Sequence, residues 1–597
     1  MSDETTAGID LGTSNSEIAM FDGDRVRVLA PDGEEMLPSC VGLSASGDLL
    51  VGAPARNQNL LYPERTARGI KRMMGTEEEI ELGDRRFSPQ ELSALLLREL
   101  VERAARELGS APRRAVITVP AYFSDAQRQA TREAGALAGL EVERILNEPT
   151  AACLAYGRGG AGETVMAFDL GGGTLDVSLV RLEGDVTEVL ASHGDNRLGG
   201  DDFTQILFDH LADVFAEEHG IDLCRGDPAA RSRLWWAAEA AKRRLSEEPY
   251  AEIREDGLVQ RGGKPLHLEL EIGRDDYDEM IRPLVEKTME SVTRAMDDSG
   301  VGARELDAVL LVGGSTRTPL VREMLHNRLD LDPHEEIHPD LCVALGAGVL
   351  ASRIDGREIS NVLVDVSPYS FGISFLGELG GEPYPHCYKP IIRANSALPV
   401  TRTDRYTTAV PYQREARIDV FQGEDPDALR NVPVGSFTVE DLTPREGPNQ
   451  ILCKMRLDLD GMLNVSAIEK ETGHAKHVAI DGALARKSEA EIEAARERLE
   501  ALFGERVGEG RAAGAAPEDA SARDGSAQSS DWREAVARSD ALVGRSQRLL
   551  EKMHAEDKEE AVDLHEAIRH AVESGDEAAL SAAVRELEDL VFFVEGR

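Results

Sequence analysis

Two stretches of the chain repeat one combination of residues. Gly8-Ile9-Asp10-Leu11-Gly12-Thr13-Ser14-Asn15-Ser16 recurs as Ala167-Phe168-Asp169-Leu170-Gly171-Gly172-Gly173-Thr174-Leu175-Asp176. Each reads as a strand ending in Asp, a glycine turn with a Thr, and a second strand-like run. Glycine turns let backbone N–H groups approach phosphate oxygens with no Cβ in the way. The hydroxyls of Thr13, Ser14 and Thr174 can add hydrogen bonds. The carboxylates of Asp10 and Asp169 suit a hydrated Mg²⁺, an ion that keeps most of its waters. Either copy alone reads most simply as a tight hairpin. Two copies, each with Asp ahead of its glycines, would grip a triphosphate between two lobes.

A third turn, Val312-Gly313-Gly314-Ser315-Thr316-Arg317, closes an apolar run. It leads into a helix with Thr318 at the N-cap and Pro319 at the first helical position. Beside the other two turns it reads as the nucleoside end of one site. The surrounding elements follow from the hydrophobic pattern. Residues 1–360 alternate apolar strand-like runs with helical patterns, which predicts an α/β architecture. Ser124 and Gln127 have capping-box spacing ahead of one of these helices. From 361 to 482 the runs are short and alternating, as in Arg417-Ile418-Asp419-Val420-Phe421, with a hairpin signal at Asp460-Gly461. That predicts an antiparallel β-sandwich. Residues 483–597 turn helical. Ser488 and Glu491 have capping-box spacing, and Ile492, Ala495, Leu499 and Leu502 share one face. The stretch 507–531, rich in Gly, Ala, Ser, Asp and Glu, reads as a flexible segment within this helical region.

Composition narrows the function. A formal net charge of −43 argues against sequence-independent nucleic-acid binding, which needs basic stripes to neutralise phosphates. It also argues against docking on an anionic membrane. The six cysteines stand far apart with no C-x-x-C pair, so zinc ribbons and thioredoxin-like sites are not expected. The acidic start of the chain gives no signal-peptide pattern, and no apolar run approaches the ~20 residues of a membrane span. A cytoplasmic protein is the expectation.

With these motifs in order, the chain resembles the 70-kilodalton heat-shock protein family, the DnaK-type chaperones, over residues 7 to about 482. The matching stretches include Gly8 to Ser16, Gly69-Ile70-Lys71-Arg72 and Ala115 to Arg128. They continue with Asn147-Glu148-Pro149-Thr150-Ala151-Ala152, Asp169 to Ser178, Leu198 to Phe203, Ala241-Lys242-Arg243, Gly313 to Arg317 and Gln422-Gly423-Glu424. The resemblance implies an actin-like two-lobed ATPase domain over 1–360 and a linker over 361–365. It also implies a peptide-binding β-sandwich over 366–482 and an all-α lid over 483–597. The implied activity is an ATP-dependent chaperone of the stress response and protein folding. It would bind extended apolar segments of unfolded polypeptides and release them in a hydrolysis and exchange cycle. ATP or ADP, Mg²⁺ and K⁺ are the implied cofactors. A J-domain co-chaperone and a nucleotide exchange factor are the implied partners of a monomer.

The resemblance also implies roles for single residues. Gly12, Thr13, Ser14, Asn15, Gly171, Gly172, Gly173 and Thr174 would bind phosphates. Glu239, Lys242, Arg243, Ser246, Gly313, Gly314, Arg317 and Asp340 would bind adenosine, where an Arg plane can stack on a base. Spacing alone places Glu239, Lys242, Arg243 and Ser246 on one helix face, which without the resemblance reads as a solvated charged surface. Lys71, Glu148, Asp176, Thr174, Asp10 and Asp169 would carry hydrolysis, with Asp10 and Asp169 holding Mg²⁺ through water. Pro120, Arg128, Arg144, Asn147 and Asp365 would couple the domains. Ile373, Phe375, Leu376, Tyr406, Ala409, Ala416 and Ile418 would line or arch over the peptide, although each apolar residue could equally be plain core.

The chain departs from the family in several places. The stretch Gly75 to Phe87 is short, and the linker is one apolar residue shorter than usual. The lid is interrupted. His338-Pro339-Asp340 spells the tripeptide of J-domain proteins but lies ahead of an ATPase helix. Two other classes share the nucleotide site. An actin-fold small-molecule kinase leaves 361–482 without a role. A nucleotide-dependent scaffold for a dedicated partner would hardly turn over.

Overall fold

The repeat of glycine turns is a repeat of sheets. Thr6–Asp10 runs antiparallel to Asn15–Phe21, which pairs with Val26–Val28. On its other side Thr6–Asp10 lies parallel to Arg114–Val119, followed by Glu141–Asn147. In the second sheet Glu163–Leu170 is antiparallel to Leu175–Glu183, which pairs with Val186–Asp195. Ala308–Val312 lies parallel to Glu163–Leu170. Both lobes therefore have a three-strand meander whose first strand takes a parallel neighbour from later in the chain. The parallel strands are apolar because helices cover both faces; Ala308–Val312 is buried at every position.

The structure, a computed structural model, describes residues 5–157, 162–184, 186–333, 338–357, 362–469, 475–478, 489–508 and 580–585, with isolated positions at 539, 542, 564, 568 and 587. The chain forms two units, Met1–Ala512 and Ala513–Arg597. In the second unit, Leu580, Ala583 and Leu587 are helical and buried, and their spacing puts them on one helix face. Of the flexible segment expected over 507–531, Val507 and Gly508 instead end the Glu489–Gly508 helix, and the rest lies outside the described residues, as does the capping Ser488. Among the described residues no helix is long and apolar enough to cross a membrane.

Two helices, Glu148–Tyr156 and Cys342–Ile354, pack together in a shared core with Val116 and Val312, one from each sheet. They meet backbone to backbone. A Cβ on Gly346 would collide with Ala151 O, and one on Gly8 would collide with the Gly348 backbone. The capping box at Ser124 and Gln127 forms as expected, opening the Asp125–Leu137 helix.

The sandwich has two four-stranded sheets. One orders Glu382–Ile392, Phe371–Leu379, Ala416–Gln422 and Val432–Val439. The other orders Val400–Thr407, Gln450–Leu457, Leu463–Glu469 and Ala475–Val478. Asp460-Gly461 makes the expected hairpin, with Gly461 at φ 73°, a region open mainly to glycine.

Two elements find partners that periodicity did not name. The expected linker contributes a strand: Val362–Val364 pairs in parallel with Val186–Asp195 at the edge of the second lobe's sheet. Val366, assigned to the sandwich, packs with Val165, Ala308 and Leu310 of that lobe. The Glu489–Gly508 helix buries the expected face, Ala495, Leu499 and Leu502 with Phe503, in the core of the first lobe. Arg498 Nη2 donates to Glu91 Oε1 at 2.6 Å, and the Arg98 guanidinium lies 4.8 Å from the Phe503 ring centroid.

Candidate nucleotide site and its links to the sandwich

The glycine turns face each other. A Cβ on Gly172 would strike the Ser14 hydroxyl, and one on Gly173 would lie 2.8 Å from Thr13 Cγ2. Between them is an open cleft lined by Asp10, Gly12, Thr13, Ser14, Asn15, Glu17, Lys71, Glu148, Asp169, Gly171, Gly172 and Thr174. At its far end it is lined by Val312, Gly313, Gly314, Pro339, Asp340 and Val343. Five carboxylates, those of Asp10, Glu17, Glu148, Asp169 and Asp340, thus face one amine, that of Lys71.

Lys71 is 5% exposed and is paired with Glu148. Burial pushes its ammonium down, but Glu148, Asp10 and Asp169 outweigh this and hold it above its usual value. Burial pushes the Glu148 carboxyl up, and Lys71 pulls it part of the way back. Asp10 is raised by burial, against Lys71 and a 2.9 Å hydrogen bond donated by Thr118. Asp169 is raised well above the carboxylate range by burial and by Glu148, Asp176 and Asp10. Asp176 is pushed up to about 6 by burial, opposed by the Tyr122 N–H bond and by Lys71 and Arg128. Crowded buried carboxylates of this kind are a mark of functional sites.

The site fits a hydrated hard cation and a polyphosphate. Its charged ligands are oxygens, which Mg²⁺ prefers. Bare glycine backbones face the space between them. Asp176 Oδ2 is buried with no hydrogen-bond partner, so that oxygen has capacity to accept.

The nucleoside end is built by backbone. Gly313 N donates to Pro339 O at 3.0 Å, and His338 O accepts from Leu341 N and Cys342 N. The His-Pro-Asp tripeptide is therefore part of this wall. Arg317 Nη2 meets Asp340 Oδ2 at 2.8 Å. Glu239, Lys242, Arg243 and Ser246 do not line the cleft but sit behind it on the Pro228–Glu247 helix. Glu239 accepts from Thr204, Lys242 and Arg243. Lys242 Nζ also donates to Gly200 O at 2.9 Å, and Gly200 N donates to Gly171 O. Ser246 Oγ bonds Lys242 O, and the Arg243 side chain is 65% exposed.

A family model described as Hsp70 protein matches residues 6–82 and 76–595. The chain belongs to the Hsp70 family. Chaperone protein DnaK of Thermotoga petrophila is 42% identical over 489 residues, covering 80% of each chain. Chaperone protein DnaK of Thermosipho melanesiensis is 42% identical over 488 residues, with the same shares.

In this Hsp70 chain Asn147 joins two of the residues expected to couple the domains, Arg128 and Asp365. Arg128 is buried and bonds Ala121 O, Phe123 O, Asn147 Oδ1 and Asp460 O. Pro120 O accepts from Phe123 N within the same turn. Asn147 Nδ2 donates to Asp365 Oδ2 at 2.9 Å, and Thr150 donates to the same oxygen. Arg144 and Arg132 both pair with Asp460, which also accepts from Ile145 N. Asn147 and its chain neighbour Glu148 therefore reach opposite ways, one to Asp365 and one to Lys71.

The seven residues expected at the peptide do not form one surface here. Ile373, Ala416 and Ile418 are buried in the sandwich core. Phe375 and Tyr406 are half-buried with ring centroids 6.2 Å apart. Leu376 is 62% exposed, and Ala409 is exposed beside exposed Val410 and Tyr412.

Sequence reasoning missed three participants. Glu17 is buried in the cleft, and burial with Asp10 and Asp340 raises it well above the usual range. The alternation of a strand puts it on the same face as Asn15, which was the available signal. Arg72 ties the second glycine turn to the start of the Gly200–His219 helix, bonding Gly173 O at 3.2 Å and Asp202 at 2.5 Å. It sits beside Lys71 in a motif already quoted. Asp460 was read only as half of a turn.

Proposed function

We propose that nucleotide in the cleft governs peptide holding by the sandwich through the Asn147-Glu148 pair. As an Hsp70 the protein is an ATP-dependent chaperone and an ATPase. ATP would lie with its phosphates between the two glycine turns and its nucleoside against Gly313, Gly314 and Asp340. Asp10 and Asp169 would hold Mg²⁺ through water, which neutralises phosphate charge. Asp176 and Thr174 would orient the attacking water or a K⁺ ion, and Lys71 would stabilise charge on the transferred group, since phosphoryl transfer depends on positioning and electrostatics. Glu239, Lys242, Arg243 and Ser246 would bind adenosine after a small advance of their helix.

The observation carrying the coupling is that Glu148 pairs with Lys71 while adjacent Asn147 bonds Asp365. The described arrangement has Val362–Val364 on the ATPase sheet and the Asp460 turn on the first lobe. We assign it to the ATP-bound, peptide-releasing state. After hydrolysis the sandwich would separate and hold an extended apolar segment at Leu376, Tyr406 and Ala409, with Phe375, Ile373, Ala416 and Ile418 at its floor. Unfolded polypeptides, a J-domain co-chaperone and an exchange factor are the proposed partners of a cytoplasmic monomer. Asp365→Ala should leave ADP affinity within about threefold while abolishing the acceleration of peptide release by ATP, as expected if the coupling works by population shift. Full acceleration in that variant would overturn the proposed route.

A further inference from the structure

We propose that His193 makes docking of the sandwich on the second lobe sensitive to acid. His193 stands near the end of the Val186–Asp195 strand. Its ring lies 5.2 Å from that of Tyr122, and the Tyr122 ring lies 4.7 Å from that of Tyr369. Tyr369 packs on the sandwich core and donates its hydroxyl to Tyr122 O at 2.7 Å. The neighbouring Ser192 N donates to Asn395 Oδ1, and Asn395 donates onward to Asp298. His193 is thus wedged where lobe and sandwich meet.

The two ring nitrogens fix its protonation. Nε2 lies 3.4 Å from Arg294 Nη1. A guanidinium only donates, so Nε2 accepts and the proton sits on Nδ1. Nδ1 is buried with no hydrogen-bond partner. A second proton would set an N–H against Arg294 and leave a charged donor buried without an acceptor, which is unfavourable. The groups around it are Tyr122, Arg294 and Asp298 of the Arg274–Ser299 helix, and Asp195 of its own strand, with Tyr369 of the sandwich packed on Tyr122. Asp195 is held by Lys287 at 2.6 Å and Asp298 by Asn395. Burial and Arg294 outweigh both carboxylates and lower the His193 value.

The sign follows from linkage. Undocking withdraws Tyr369 and Asn395 and exposes the ring while Arg294 stays beside it, so the undocked value lies above the docked one and the undocked state takes up the proton first. Docking is then unaffected well above that value, weakens as pH falls through it, and stops weakening below the docked value. If docking marks the releasing state, as proposed above, acid shifts the protein toward holding peptide.

The test uses full-length protein with a fluorescence-transfer pair, one dye on the second lobe and one on the sandwich, and saturating ATP. Comparing ATP with ADP at neutral pH tests the assignment of the docked state separately. In the wild type the docked fraction should fall at least about twofold between about pH 7.5 and 5.5, while His193→Gln stays level. Arg294→Gln, which removes a cation beside the ring whether or not the sandwich is docked, should move the transition to higher pH. A level wild type, or parallel falls in wild type and His193→Gln, would overturn the proposal. Should His193→Gln fail to fold, an unmoved transition in Arg294→Gln would overturn it equally.

Discussion

Lys71→Met removes the one amine among the described residues lining the cleft while keeping an apolar stem of similar length. Two consequences differ in size. Breaking a buried ion pair costs ~3–5 kcal/mol when the abandoned partner keeps its charge. Glu148 can escape that cost by binding a proton, because burial already raises its pKa, so the loss of stability should fall below this range. Hydrolysis has no such escape. Removing one preorganised electrostatic group at a reacting centre costs ~2.7–4 kcal/mol, about 100- to 1000-fold in rate. Single-turnover hydrolysis and equilibrium ADP binding separate the two. Turnover should fall by about that factor, and ADP affinity should change by less than about tenfold. Turnover within about threefold of wild type would refute the idea that Lys71 acts on the reacting atoms. Lys71→Met combined with Glu148→Gln should regain stability but not turnover. Regained turnover would mean that the lysine merely neutralises Glu148.

Two further outcomes follow from the same geometry. Asp176 is raised from 3.8 to about 6, so its charge burdens the nucleotide-free fold by up to ~3 kcal/mol. That burden is complete above about pH 6 and vanishes below the unfolded value, so Asp176→Asn should stabilise the nucleotide-free protein at pH 8, with the gain shrinking between about pH 6 and 4 while hydrolysis is lost. Denaturant melts across pH check this, and a gain independent of pH would contradict it. Leu363 is half-buried against the core shared by the Glu148–Tyr156 and Cys342–Ile354 helices, so Leu363→Asp should free the edge strand and speed amide exchange at 362–364 in the ATP state; unchanged exchange would show that the strand does not need that contact.

The chemistry of the site was legible because it is local. Asp10 with Gly12 and Asp169 with Gly171 are set by short turns, and their repetition announced two similar lobes. Partners far apart in sequence were less legible. The apolar run Val362–Val364 signals a strand, but nothing in it says that its neighbour is Val186–Glu188 rather than the sandwich. The face formed by Ala495, Leu499 and Leu502 was evident from its period, whereas its burial against the first lobe depends on Glu91 and Arg98, some 400 residues earlier. Asp460 shows the same limit. A hairpin Asp looks alike whether its carboxylate meets solvent or three groups of another domain.

One coupling is central to this chaperone: nucleotide in the cleft changes how the sandwich holds peptide. Fluorescence anisotropy of a labelled short apolar peptide measures it directly, by following dissociation from the full-length protein with ATP and with ADP. Dissociation should be at least about tenfold faster with ATP, a difference of ~1.4 kcal/mol or more between the two states. Equal dissociation rates would contradict the account.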